Sequence, residues 1–512
     1  MDLKLNRQTF TTSAVVSDTS VEQAVELDLI LPDYYPDIFR ILSCKLCPVV
    51  VAQSVNGDKL SFELCVMVKL MYLTENSNCV NTIEQKLTFT KNVELTSSCT
   101  NPIITITPRC DYVNCRVVNR RRLDIRGAVS AKCKVVGERA QTVLEGAHGE
   151  GIQLKKEQFT YPAKKLCATK RVTVIEDLEI GQTKTGIDSV VRSDAHIISS
   201  ENKIVNQKLV VKGLAEVTML YQSSESDAIE SMKFDVPFSQ VIDMDGIDEH
   251  YDTVCDITVS SCNIIPKGAG GDAREAECEL VLLLCCRALR FDTTLLTVDA
   301  YSTTRECRLT MNEAKIECIP KAVSDNAQVK TTVTYNEGEI SNVYDVWGEI
   351  TSTQSKCDIE EGIINILATV CFNAMASNEN GCPLYLESEV QLEHEILAQI
   401  SEDSSFEPKL YITNCVYNLI SNNAVEIKAD IKIGGNICEC KTVSVISDIE
   451  LEDNQNMADT NTALKLYYAQ ADEDIWEIAK KYKTSINAIM LENELTDEKL
   501  SQNQMLLIPL VK

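Results

Sequence analysis

Histidine and tryptophan are scarce in this chain of 512 residues, which has four of the first and two of the second. The histidines stand apart in the sequence, and none has a second metal-binding residue four positions away. The glycine-rich phosphate loop of nucleotide-binding enzymes and the Gly-x-Ser-x-Gly turn of serine hydrolases are both missing. We therefore expect no catalytic residues and no enzymatic activity.

Positive charge is also in short supply. Lysine and arginine number 49 against 76 aspartates and glutamates, which gives a formal net charge of −27. A protein that binds nucleic acid needs a basic surface, so this balance argues against DNA or RNA as a partner. The one dense basic run, Arg120-Arg121-Arg122, is interpreted as a solvated hairpin tip rather than a phosphate site.

Long hydrophobic runs are missing as well. No stretch approaches the roughly 18 apolar residues of a membrane helix, and no apolar leader segment follows Met1, so we expect no membrane span and a cytoplasmic location. The 22 cysteines fit a reducing compartment, where free cysteines behave as small buried hydrophobes. Because Cys44-x-x-Cys47 has no partner motif at zinc spacing, no metal and no cofactor are expected.

What the chain does contain is strand-forming sequence. Its length suits three or four domains, and 44% of its residues are hydrophobic. Apolar and polar residues alternate over many short runs rich in β-branched side chains, which is typical of strands. Turn signals such as Asn56-Gly57-Asp58 separate these runs. The sequence therefore predicts a mainly β protein built from sandwich-like domains.

Several features recur in the same order along the chain. The segment Lys59–Tyr72 resembles Lys208–Tyr221, and an extended segment with one cysteine ends at Cys115, Cys262 and Cys415. Repetition of several features in one order is stronger evidence for a repeat than any single match. We therefore predict three tandem β units.

The repeat divides the chain into β domains at residues 1–155, 156–305 and 306–447, of which the third is degenerate. The segment that follows, residues 448–464, is polar, acidic and without an apolar period, so it is predicted to be a flexible linker. A last and much smaller domain then occupies residues 465–512.

This last segment has the pattern strand, helix, helix, strand. Ile475, Ile478 and Tyr482 recur on one face of a helix, and Asp474 stands where a carboxylate caps its first turn. A second apolar stripe and a closing strand follow. The expected fold is a small α+β module with βααβ order.

The order and spacing of this module resemble a LysM domain. The residues that carry the resemblance run through both helices and the closing strand: Tyr467, Ile475–Ala479, Tyr482, Asn493–Leu495, Gln504 and Leu507–Pro509. Sugar-binding LysM domains hold chains of N-acetylglucosamine in a shallow groove built by their loops. The resemblance thus implies peptidoglycan or another glycan as one alternative partner.

One departure from the LysM pattern favours a protein partner instead. The usual Gly-Asp-Thr is replaced by three adjacent carboxylates, which change both the shape and the field of the loop. Trp476 is expected at the edge of the module with part of its ring exposed, as is common for interface anchors. The predicted partner-binding residues lie in and beside this loop and in the turn after the second helix: Asp472, Glu473, Asp474, Ile475, Trp476, Asn493 and Leu495.

A second resemblance lies near the start of the chain. Leu31–Leu42 reads Leu-Pro-Asp-Tyr-Tyr-Pro-Asp-Ile-Phe-Arg-Ile-Leu, and fainter copies occur at Ile180–Val191 and Glu339–Tyr344. The segment resembles the signature of SPOCS domains, which occur in clostridial spore-coat proteins. This resemblance implies a non-enzymatic scaffold or adaptor of coat assembly, located in the mother-cell cytoplasm at the forespore surface.

The combination of SPOCS and LysM domains further implies a partner. In such proteins the LysM domain binds the morphogenetic ATPase that forms the basement layer of the coat, and other coat proteins are expected to assemble with it. Two alternatives stay open at this point: a carbohydrate-binding protein anchored to cortex peptidoglycan or another glycan, and a phage- or secretion-type adaptor, since LysM modules also occur at the ends of tail proteins.

Overall fold

The computed structural model describes residues 3–75, 79–149, 151–225, 228–268, 273–455 and 463–510, and all structural statements refer to these ranges. They contain long antiparallel strands throughout, and the two helices found in them are short and lie near the C-terminus. This confirms the mainly β fold class. In the described ranges, neither helix is long and apolar enough to cross a membrane.

The first unit consists of two three-stranded antiparallel sheets with strand orders β1-β6-β5 and β2-β3-β4. Its strands are β1 (Lys4–Ile30), β2 (Arg40–Asn56), β3 (Lys59–Leu73), β4 (Val80–Glu94), β5 (Thr100–Asn119) and β6 (Arg122–His148). Every second residue of β3 from Leu60 to Tyr72 is buried, as the alternating sequence predicts. These side chains form a core with β6 and the other strands of the unit.

The second unit repeats this topology. Its sheets have the orders β7-β12-β11 and β8-β9-β10, so each strand has a counterpart six places earlier. The strands are β7 (Ile152–Glu179), β8 (Ile187–Val205), β9 (Lys208–Ser223), β10 (Ile229–Ile242), β11 (Asp252–Lys267) and β12 (Glu275–Ser302). Both sheets contribute buried residues to one core.

The third unit keeps the same plan with its first strand broken in two. Strands β13 and β14 both pair with β20, which also pairs with β19 and the short β18, while β15-β16-β17 form the second sheet. The bounds are β13 (Arg305–Glu317), β14 (Lys321–Thr334), β15 (Ile340–Asp358), β16 (Ile363–Asn378), β17 (Pro383–Leu397), β18 (Ser404–Phe406), β19 (Lys409–Ser421) and β20 (Ala424–Gln455). The unit with the faintest sequence signature thus has the same strand order.

The three units contact one another in a closed cycle, which we call the ring. Strand β4 touches β8, β10 touches β15, and β17 touches β2, so the contacts run in a cycle. The three long strands β6, β12 and β20 also touch one another. Equivalent residues meet in shared hydrophobic clusters, with Met71, Leu220 and Met375 in one and Ala147, Ala300 and Ile449 in another.

A partly buried polar cluster joins the first strands of all three units. Lys165 of β7 donates to the Glu317 carboxylate of β13 at 2.7 Å and also bonds the Ser13 hydroxyl of β1. Ser13 in turn donates to Glu317 at 2.6 Å. The Lys165 side chain is only 4% exposed, so these partners replace the hydrogen bonds that water would otherwise make to it.

Strand β20 continues into the segment predicted to be a linker. Leu451 pairs with Cys307 of β13, Gln455 pairs with Arg305, and Ile449 is buried. Residues 448–455 are therefore part of strand β20. The alternating Ile449 and Leu451 let β20 pair with β13 along its whole length, up to Arg305, the first residue of β13. The rest of the predicted linker up to residue 462 lies outside the described residues.

Candidate functional site in the C-terminal module

The C-terminal module has the predicted strand, helix, helix, strand order. Its elements are β21 (Leu464–Ala469), α1 (Ile475–Tyr482), α2 (Ile486–Glu492) and β22 (Gln504–Pro509). The two strands form an antiparallel pair. Both helices pack against it around a small core of apolar residues that are less than one-tenth exposed: Ala469, Ile475, Ile478, Ala479, Ile489, Leu500, Leu506 and Ile508.

The three carboxylates before α1 have separate tasks. Asp474 is the N-cap of α1 and accepts a bond from the Trp476 backbone N–H at 2.8 Å. Glu473 accepts from the Tyr467 hydroxyl at 2.6 Å, and this bond raises the pKa of Tyr467 to about 12. Asp472 is exposed and has a φ of 66°, in the left-handed region. The loop is thus fixed largely by its own hydrogen bonds.

The backbone of Asp472 explains why a glycine suits this position, and it gives a prediction. Because a left-handed φ strains a residue with a Cβ, and aspartate tolerates it better than alanine, Asp472→Ala should destabilise the module by about 1 kcal/mol. Asp472→Gly should leave its stability nearly unchanged. Urea unfolding followed by Trp476 fluorescence measures both, with Glu477→Ala on exposed helix surface as the control. Equal midpoints for the two Asp472 variants would contradict the strain.

Asn493 acts as a brace inside the module. Its amide nitrogen donates to the carbonyl oxygens of Ile489 and Leu507 at 2.8 and 2.7 Å, and its oxygen accepts from the Leu507 N–H at 2.7 Å. Leu495 packs against the core and is partly buried. These two predicted binding residues therefore hold α2 to β22, and the Asn493 amide is already engaged on both sides.

Trp476 is buried, so the expectation that part of its ring is exposed is wrong. The residue is only 1% exposed, and its neighbour Ile475 is fully buried. The Trp476 indole nitrogen donates to the Asp299 carboxylate of β12 at 2.7 Å, and its ring meets Tyr301 edge-on at 5.0 Å between centroids. The module is thus seated on the second β unit, a contact between distant segments that local sequence patterns do not report.

Four further bonds complete this docking contact. Lys480 donates to both oxygens of Asp299 at 2.8 and 2.7 Å, and Lys155 of β7 donates to Asp474 at 2.7 Å. The Tyr301 hydroxyl donates to the Thr484 carbonyl at 2.6 Å. The docking contact consists of three residues of the second unit and four of the module: Lys155, Asp299 and Tyr301 with Asp474, Trp476, Lys480 and Thr484.

The ion pair between Lys155 and Asp474 keeps both side chains charged near neutral pH. Burial raises the pKa of Asp474, but the Lys155 ammonium and the Trp476 N–H together lower it by more than burial raises it. The net pKa of Asp474 therefore lies below its usual value. The bond to Asp474 raises the pKa of Lys155. Asp474 therefore contributes above the unfolded carboxyl pKa and loses its contribution as pH falls through the lowered pKa. Lys155 contributes below the unfolded lysine pKa and loses its contribution as pH rises through the raised one.

Only the second unit has the residues for this contact. The register pairs the equivalent positions of the three units as Asn6 with Gly146, Lys155 with Asp299, and Thr310 with Asp448. The hydroxyl donor Tyr301 is likewise replaced by His148 in the first unit and Glu450 in the third. Asp448 repeats the local geometry of Asp299, but its carboxylate bonds Arg7 instead, at 2.7 Å.

Sequence reasoning missed Lys155, Asp299, Tyr301 and Lys480. They lie in alternating strands or on a helix surface, where charged and aromatic residues are unremarkable. The available signal was a difference between the repeats, because the aligned position carries glycine, aspartate and aspartate in the first, second and third units, while only the second unit adds the lysine and the tyrosine. In the described ranges, no three histidine, cysteine, aspartate or glutamate side chains are grouped as a metal site would require.

The outer face of the module's sheet remains open. Leu466, Tyr468 and Met505 are 69, 67 and 63% exposed, and Tyr468 pairs directly with Met505 across the two strands. We call these three residues the sheet face. Such a group of exposed apolar side chains on so small a module is typical of a binding surface.

Two family models match the chain. A model described as SipL, SPOCS domain, matches residues 37–118 and 186–265, and a LysM domain model matches residues 467–509. The chain carries SPOCS and LysM domains. Each SPOCS match covers the second to fifth strands of a unit, from β2 to β5 and from β8 to β11. The third unit lies outside the match although it has the same strand order.

No curated protein and no solved structure matched the chain. The SPOCS domains mark a sporulation-related protein, and the LysM domain supplies a module of the peptidoglycan-binding type. The LysM match covers the C-terminal module, which carries both the docking contact and the sheet face.

Proposed function

We propose that this protein is a non-enzymatic scaffold of spore-coat assembly, and that its LysM domain binds the ATPase of the coat basement layer. The proposed site of action is the mother-cell cytoplasm at the forespore surface, where other coat proteins are recruited. The SPOCS and LysM domains together in one chain support a role in sporulation. The choice of a protein over a glycan as the ligand rests on the LysM surface.

The observation that carries this choice is the sheet face. Leu466, Tyr468 and Met505 offer an apolar patch with an aromatic residue, and aromatic residues and methionine are enriched at protein interfaces. The side chains of Glu473 and Asn493 are meanwhile engaged in hydrogen bonds within the domain. The surface therefore suits a protein partner better than a polar oligosaccharide.

A binding experiment tests this proposal. Leu466→Glu on the sheet face should weaken binding of the full chain to the basement-layer ATPase by at least about tenfold, because it places a charge in the centre of an apolar contact. Leu419→Glu is the matched control, since Leu419 is an exposed leucine of β19 in the third unit. Biolayer interferometry with the immobilised ATPase gives both affinities.

The glycan alternative predicts a different result. Titration of the full chain with N-acetylglucosamine oligomers should show no binding at micromolar concentration if the partner is a protein. Micromolar affinity for the oligomers, together with no binding of the ATPase by the unmodified chain, would overturn the proposal and establish a peptidoglycan-binding protein.

A further inference from the structure

The docking contact covers one side of helix α1 in the LysM domain. Trp476 is buried against β12, and Lys480 has its ammonium on Asp299. Tyr301 of the second unit belongs to the same hydrophobic cluster as the core of the module. One side of α1 is therefore closed off by the chain itself, while the sheet face on the other side of the module stays open.

The bonds that hold this cover are mainly ionic. Asp299 receives both the Lys480 ammonium and the Trp476 indole N–H, and Lys155 pairs with Asp474. The side chains of Asp299 and Lys480 are 21% and 38% exposed, so water and salt reach the pair. Ion pairs of this kind contribute modestly and weaken as salt screens them. Polar contacts between domains of one chain are commonly reversible.

We propose that the second β unit is an intramolecular cover for the α1 side of the LysM domain, latched by Asp299. Closed molecules present the sheet face alone. Open molecules additionally present Trp476 and Lys480, an aromatic ring beside a charge, which is the composition of an interface anchor. The latch limits the fraction of molecules in which Trp476 and Lys480 are accessible to a partner. This effect does not depend on which partner the LysM domain binds.

The position of the latch in one unit supports this inference. The equivalent site of the first unit has Gly146, and that of the third has Asp448 bonded to Arg7. Neither has the lysine and tyrosine that flank Asp299, so the module has one seat of this composition among the three repeats. The LysM domain therefore binds the second unit through specific residues, and not through a property that all three β units share.

Solvent access to Trp476 tests the latch without any partner. Asp299→Asn in the full chain should shift the Trp476 emission to longer wavelength and raise its acrylamide quenching constant about twofold, because the open state exposes the part of the ring that β12 covers. The full chain with Trp476→Phe supplies the emission of Trp347, the other tryptophan, for subtraction. High salt should move the unmodified chain in the same direction.

Lys480 gives an independent readout. Its acetylation by an N-hydroxysuccinimide ester, followed by mass spectrometry, should be about threefold faster in Asp299→Asn than in the unmodified chain, since the carboxylate no longer holds the ammonium. Asp448→Asn is the matched control, because Asp448 occupies the equivalent position with the same bond to the next backbone N–H. It should change neither the quenching nor the labelling.

A charge exchange separates opening from unfolding. Asp299→Lys alone should open the latch, and adding Lys480→Asp in the same chain should restore part of the protection of Trp476, because the ion pair is rebuilt with opposite signs. Quenching in guanidinium marks the unfolded limit. The latch is refuted if Asp299→Asn leaves both readouts unchanged, or if Asp299→Lys reaches the unfolded limit and the second change rescues nothing.

Discussion

Replacing Trp476 by alanine is expected to unfold the LysM domain and not only to weaken a binding surface. The ring is 1% exposed and belongs to the core cluster of the module, and it also packs edge-on against Tyr301 and donates to Asp299. Its removal therefore leaves a cavity in the core and takes one hydrogen-bond donor away from Asp299. Such a truncation costs about 3–5 kcal/mol in a core. A module of this size rarely has more than about 3–5 kcal/mol of stability from its core.

Hydrogen exchange of residues 463–510 in the full chain measures this effect. Protection in α1 and β22 should be lost in Trp476→Ala and largely kept in Trp476→Phe, which retains an aromatic ring but not the bond to Asp299. Tyr468→Ala, on the open sheet face, is the control and should leave the protection unchanged. Native protection in the alanine variant would show that the ring is not part of the core.

The second large effect is expected where the three units meet. Lys165→Met should lower the free energy of unfolding of the ring by about 3 kcal/mol, because Glu317 loses its only ammonium partner in the described cluster and stays partly buried. Lys164→Met is the matched control, since the neighbouring lysine is exposed. Denaturant unfolding gives both values.

The double variant decides whether the charge or the packing matters. Lys165→Met combined with Glu317→Leu removes both ions from the contact, so most of the lost stability should return, as is common when buried ion pairs are replaced as a whole. If the double variant were as unstable as the sum of the two single ones, Lys165 would act through packing of its alkyl chain and not through Glu317.

The local structure of this protein could be predicted well from its sequence. Alternation such as that of Leu60 to Tyr72 gives strands with one buried face, and helix spacing with a capping residue at Asp474 gives the module. Both signals lie within a few residues of each other along the chain. The SPOCS and LysM resemblances have the same origin, since they rest on short segments of fixed spacing.

The arrangement of the units could not be predicted in this way. Lys165 and Glu317 come from different repeats, and nothing beside either residue indicates that they meet. The same holds for Trp476 and Asp299, which are 177 positions apart. An aromatic residue next to a helix stripe fits an exposed anchor and a buried contact equally well, so the sequence led to the wrong exposure for Trp476.

Fusion of three similar units into one polypeptide has a consequence for stoichiometry. In a ring of three identical separate chains, every substitution would appear three times, and three LysM domains would crowd one end. Here the equivalent positions have diverged to Gly146, Asp299 and Asp448, and one of them alone seats a module. Covalent linkage therefore lets the three equivalent positions differ, so that the one seat for the LysM domain is present once per ring at any concentration.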